Sequence, residues 1–141
     1  MAAREAAGRM MIFRIRTEVL VHPAYVEIAC YGRYSQSESR RISEEGFRQA
    51  ALANRTALLL DVRGINGRVP SIFDRFDFGV RAAEHYRASE PRIRLAVLGQ
   101  EPMIHPERFG ELVARNRGAD ARVFTDEAAA REWAQGRARE A

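Results

Sequence analysis

Residues 56–79 read TALLLDVRGINGRVPSIFDRFDFG. Thr56 to Val62 is a short apolar run closed by charge, the pattern of a strand buried on both faces. Gly64 to Pro70 follows as a loop, with Asn66-Gly67 as a strong turn signal. Ser71 and Asp74 have capping-box spacing, Asp standing in for the usual Glu. Phe73, Phe76, Val80 and Ala83 then recur at three- and four-residue steps, which predicts a helix ending near Tyr86. A buried strand leading through a turn into a capped helix is half of a β-α-β unit, so the stretch points to a parallel sheet with helical crossovers.

The flanks continue the alternation. Upstream, Ile12 to Arg16 reads as a strand that Val19 to Val21 extends, with His22-Pro23 at the turn. Tyr25 to Tyr31 is a second strand, and two strands this close pair antiparallel. Gly32 to Arg41 reads as a polar loop. Ser43 is the expected N-cap of a helix to about Asn54, with Glu44 and Glu45 near the dipole and an Ile42–Phe47 staple. Downstream, Ile93 to Leu98 is a buried-type strand. Pro106 suits the first turn of a helix with Phe109, Leu112 and Val113 on its apolar face and Gly118 just past its end. Ala121 to Phe124 is a short strand, and Thr125 or Asp126 caps a last helix through Trp133. The expectation is one α/β domain over residues 11–135. It has about five strands in a mainly parallel sheet, an antiparallel first strand at the edge, and about four helices. Residues 1–10 and 136–141 are expected to be flexible tails.

Composition excludes several classes of function. The chain has 141 residues, 46% hydrophobic and 30% charged, which is ordinary globular usage. All 23 basic residues are Arg, so lysine Schiff bases and phosphate-loop lysines are excluded. The net charge of +4 suits an anionic partner, but the 19 acidic residues are interspersed with the Arg, as on a solvated mixed surface. No specific nucleic-acid binding is expected. Cys30 is the single cysteine, too few for an intrachain disulfide or a thiolate metal site. No apolar run reaches the length of a membrane span, and MAAREAAGRM lacks a signal-peptide core, so the expected location is cytoplasmic.

TALLLDVRGINGRVPSIFDRFDFG, RIRLAVLG and FGELVARNRGADARVFTDEAAAREWA together resemble the SpoIIAA-like proteins of the STAS superfamily, over roughly Met11 to Ala134. The resemblance implies a small α/β domain. It also implies similarity to CRAL-TRIO lipid-carrying domains, with membrane association in some members. Anti-sigma-factor antagonists of the superfamily carry an Asp-Ser-Ser-Gly-like stretch whose Ser is phosphorylated at a helix start. Here the corresponding region reads GRVPSIFD, with Ser71 near the helix start but without the preceding Asp or the small residues after it.

The candidate site residues cluster in the same stretch. Asp61 ends an apolar strand, where α/β ligands bind, and is read as a base or as a carboxylate that bonds the loop after it. Arg63, Arg68 and Arg75 flank the start of the second helix. With Ser71 and the free N–H groups there they form a candidate phosphate or carboxylate site, or else are solvated. Phe73 and Phe76 suit the core. Phe78 is the candidate edge residue, lining a pocket, meeting a partner or packing under a neighbour. His22, His85 and His105 have no metal-ligand spacing, no Gly-x-Ser-x-Gly elbow is present, and no cofactor is expected.

No nucleophile–base pair, acid–base pair or metal set is visible, so the expected function is non-catalytic. The first reading is a binding module for a small anionic or lipid-like ligand, or a membrane surface, beside the second helix. The alternative is a regulatory protein-interaction domain switched by phosphorylation of Ser71.

Overall fold

A computed structural model describes residues 15–136. The expected tails, apart from Gly136, and residues 11–14 of the first expected strand lie outside the described residues. The elements in chain order are β1 Ile15–Val21, β2 Val26–Arg33, α1 Gln36–Leu52, β3 Ala57–Asn66, α2 Ile72–Ala88, β4 Arg94–Leu98, α3 Phe109–Asn116, β5 Ala121–Phe124 and α4 Glu127–Ala134. They build one five-stranded sheet in the order β1-β2-β3-β4-β5. β1 pairs antiparallel with β2 at the edge, and the remaining pairs are parallel. This is the α/β architecture expected from the sequence.

The strand order decides which helix covers which face. Right-handed crossovers that step in one direction leave their helices on one face. α1, α2 and α3 are those crossovers, and Ile42, Ala82 and Ala114 share one core with Ile28, Leu58, Leu60 and Val97. α4 follows the last strand and covers the other face, where Ala130 and Trp133 meet Leu59, Ala96 and Leu98. The period of two along β3 sends Leu58 and Leu60 to one core and Leu59 to the other. Leu58, Leu59 and Leu60 are all buried, as the unbroken apolar run predicts.

Four local expectations are corrected. α1 starts at the Ser35 cap, whose Oγ accepts from the Glu38 N–H at 3.2 Å, so residues 36–41 are helix rather than loop. Ser43 is consequently inside the helix, buried beside Ile42, Gly46 and Phe47, and caps nothing. β3 does not end at Val62 but runs to Asn66, pairing Gly64, Ile65 and Asn66 with Tyr31, Gly32 and Arg33 across a register shift. A Cβ on Gly64 would lie 2.5 Å from the Cys30 carbonyl oxygen, so glycine permits that close approach. Pro106 lies in a turn before α3, because Arg108 takes a left-handed conformation (φ 56°, ψ 48°) that a right-handed helix cannot contain.

The fourth correction concerns α2. Its buried residues are Asp74, Gly79, Ala82 and Ala83, and Phe78 packs against the core. Phe73 is instead 80% exposed and Phe76 43%. The three- and four-residue spacing finds the helix correctly. It misses the rotation, because Asp74 is answered by Ser71, Arg68 and the distant Tyr34 and can therefore face inward.

Candidate functional site

The start of α2 is held rigidly. Ser71 Oγ accepts from the Asp74 N–H at 3.0 Å, and Asp74 Oδ2 accepts from the Ser71 N–H at 3.2 Å. Arg68 also donates to Asp74 Oδ2, at 3.0 Å, and its guanidinium lies 4.9 Å over the Tyr34 ring. Burial works to raise the Asp74 pKa, but the bonds from Ser71, Arg68 and the Tyr34 phenol hold it below the ordinary value. The Tyr34 phenol is pushed up, first by burial and then by the Asp74 charge. Arg75 reaches the other way. It donates to the backbone oxygens of Pro70 at 3.2 Å, Met103 at 3.0 Å and Pro102 at 2.9 Å, and burial lowers its pKa.

The candidate arginines are not brought together. β3 places Asp61 and Arg63 on the α4 face, whereas Arg68, Ser71, Arg75 and Phe78 stand with α2 on the opposite face. Asp61 Oδ1 accepts from the Arg63 N–H at 3.1 Å and from Arg63 Nε at 3.0 Å, so the carboxylate orders the chain just after it. Arg63 also pairs with Glu127 at 2.9 Å. Each of the three guanidiniums is thus committed to an acid or to carbonyls of this chain.

Arg63 belongs to a chain of ion pairs across the α4 face. Glu127 passes the connection to Arg131 at 2.9 Å, and Arg131 to Glu27 at 2.8 Å. Glu27 then meets His22 Nε2 at 2.8 Å, while Arg131 also bonds the Tyr25 hydroxyl at 3.0 Å. Glu27 is buried. Burial works to raise its pKa, and the bonds from Arg131 and His22 bring it below the ordinary value. Glu27, Glu127 and Arg131 carry no local signal in the sequence, because their meeting depends on β2 and α4 packing together from more than 100 residues apart in the chain.

Beneath the α2 start lies a cavity of about 130 Å³ at the carboxyl ends of the parallel strands, lined by Ile42, Leu60, Val62, Phe78, Val97 and Ile104 among others. Arg75 and Cys30 also reach it. Burial pushes the Cys30 thiol up to about 12, so it behaves as an apolar group rather than a nucleophile. Outside the cavity, Val69, Ile72, Phe73 and Phe76 are exposed around the first turns of α2, with Arg117 lying 5.1 Å over the Phe76 ring. Among the described residues no group of three or more His, Cys, Asp or Glu side chains could hold a metal, and no helix is long and apolar enough to cross a membrane.

No family model and no curated protein matches the sequence. Solved structures do match the fold. An anti-sigma factor antagonist from Mycobacterium paratuberculosis superposes with a TM-score of 0.57 at 14% identity, covering 86% of this chain and 94% of that one. The chain shares the fold of that protein. An uncharacterized protein with a SpoIIAA-like fold from Shewanella loihica gives a TM-score of 0.48 at 16% identity, with 86% and 94% coverage. On this scaffold the capped start of α2 carries the exposed Phe73 and Phe76, with Arg68 bonded to Asp74 and Arg117 over the Phe76 ring.

Proposed function

We propose that this chain is a non-catalytic regulatory module that docks another protein on the exposed start of α2. The observation that carries this reading is Phe73, 80% exposed on the first turn of a helix that is fixed from both sides. Large aromatics presented on a rigid base act as interface anchors, and a cluster of exposed apolar residues marks an interaction surface. Val69, Ile72 and Phe76 enlarge the patch, and Arg68 and Arg117 give it a basic rim. The partner it suits has an apolar pocket with an acidic border. The likeness to an anti-sigma factor antagonist supports the same class of function.

Ser71 enters this reading as a regulator. A phosphate on its Oγ would stand beside the Asp74 carboxylate and remove the capping bond. The first turn that carries Phe73 would loosen, so phosphorylation weakens docking. The test is to identify the partner from the native host, rebuild the pair from purified proteins, and compare wild type with Phe73→Ser and Ser71→Glu. Both variants should keep the fold and lose affinity. Unchanged affinity in folded Phe73→Ser rejects the reading.

A second reading rests on the cavity. Its size is comparable to engineered apolar cavities that take up benzene. Arg75 spends its donors on carbonyls, so the ligand would be small and apolar rather than anionic. Native mass spectrometry of protein from its own host tests this. A retained small molecule that Val97→Phe expels supports it, and a bare chain mass rejects it.

A further inference from the structure

We propose that β1 pairs antiparallel with the β1 of a second copy of this chain, about a twofold axis at Val19. β1 is the edge of the sheet. In an antiparallel pair alternate residues turn their N–H and C=O groups toward the partner strand and the others turn them away. His22 donates to the Tyr25 carbonyl at 2.8 Å, which puts the even-numbered residues on the β2 side. Ile15 shows the opposite phase. Its N–H donates to Glu38 Oε1 at 3.1 Å and its carbonyl accepts from Arg41 at 3.2 Å, both on α1. Thr17, Val19 and Val21 therefore present N–H and C=O groups outward, and among the described residues nothing meets them.

The side chains agree with the backbone. Thr17, Val19 and Val21 share one face of the strand and are all β-branched, the type that pairs best across strands. Val19 is 42% exposed and Val21 57%. Natural edges are blunted by proline, charged side chains or a bulge. β1 has no proline or bulge, its register with β2 is unbroken from Ile15 to Val21, and its two charges, Arg16 and Glu18, fall on residues whose backbone groups face β2.

Charge and backbone availability select the register. A twofold axis at Glu18 would set two carboxylates directly opposite each other. An axis at Thr17 would set Val19 against Ile15, whose backbone groups are already spent on Glu38 and Arg41. An axis at Val19 sets Val19 against Val19 and Thr17 against Val21. It satisfies every outward group of the three residues with about six bonds, and Glu18 falls opposite the apolar Leu20. The product is a continuous sheet spanning two copies, with a narrow interface of the weak, reversible class.

Sedimentation velocity of the full chain between about 10 μM and about 1 mM tests this, since an interface of this size equilibrates in that range. The mean mass should rise toward two chains. Val19→Pro removes an outward N–H and spares the β2 ladder, and should weaken association by about tenfold or more, some 1.4 kcal/mol. Val19→Lys should do the same, and decides the matter if the proline variant does not fold. Under mild oxidation Val19→Cys should form a linked dimer and Thr17→Cys should not, because residues paired across the axis lie at disulfide distance. A chain that stays monomeric throughout overturns the proposal. So does a dimer that folded Val19→Lys leaves intact, one linked through Thr17→Cys instead, or one that Phe73→Ser dissolves.

Discussion

Ser71 and Asp74 cap each other, side chain to backbone in both directions, at 3.0 and 3.2 Å. The Asp74 carboxylate is buried, yet its pKa lies below the ordinary 3.8. A carboxylate depressed in the fold adds stability that is complete above its unfolded pKa and is lost as pH falls through the folded one. Asp74→Asn should therefore flatten the acid limb of stability below about pH 4 and cost about 1 kcal/mol near neutrality. Urea unfolding across pH 2–7 reads both effects. An unchanged acid limb would contradict the assignment.

Gly79 is where α2 and α3 touch. A Cβ there would lie 2.7 Å from the Gly110 carbonyl oxygen and from Val113. Gly79→Ala normally favours a helix, but here the helices must separate, so the variant should lose about 1–3 kcal/mol. A thermal melt that moves upward would show that the two helices yield freely.

Glu27 is buried and answered by Arg131 and His22. Arg131→Met should leave it without its main cation and cost about 2–4 kcal/mol, less than a fully buried pair because Arg131 is partly exposed. Adding Glu27→Gln should recover part of the loss. No recovery in the double variant would mean that Arg131 acts through Glu127 or Tyr25 alone.

His85 stacks on Phe47 with ring centroids 5.1 Å apart, and burial, the largest cause, lowers its pKa. Because the unfolded chain then takes up its proton first, stability declines as pH falls below about 6.5. His85→Leu should remove the slope that sets in below about pH 6.5, above the range controlled by Asp74. Equal slopes in wild type and variant would refute it.

The parts of the fold visible in the sequence were those with local physical causes. The short apolar run in TALLLDV has the pattern of a strand covered on both faces, and the Ser71–Asp74 spacing placed the start of α2 correctly. The Asp126 cap and the Gly118 stop were equally local. What could not be read depended on distant partners. The first turns of α1 are polar, and Glu38 and Arg41 reach back to Ile15 from there. The rotation of α2 depends on Tyr34 and Arg68 meeting Asp74. Arg63 looked like a companion of Arg75, but the alternation of β3 sends it to the α4 face.

We propose that Phe73 anchors a protein partner. It is tested most directly by calorimetric titration of the purified partner against wild type and Phe73→Ser, with melting temperature as the control for folding. Loss of a central aromatic anchor costs at least about 2 kcal/mol, so the variant should bind some 30-fold or more weaker while melting at the wild-type temperature. Equal affinities for the two proteins would contradict the claim.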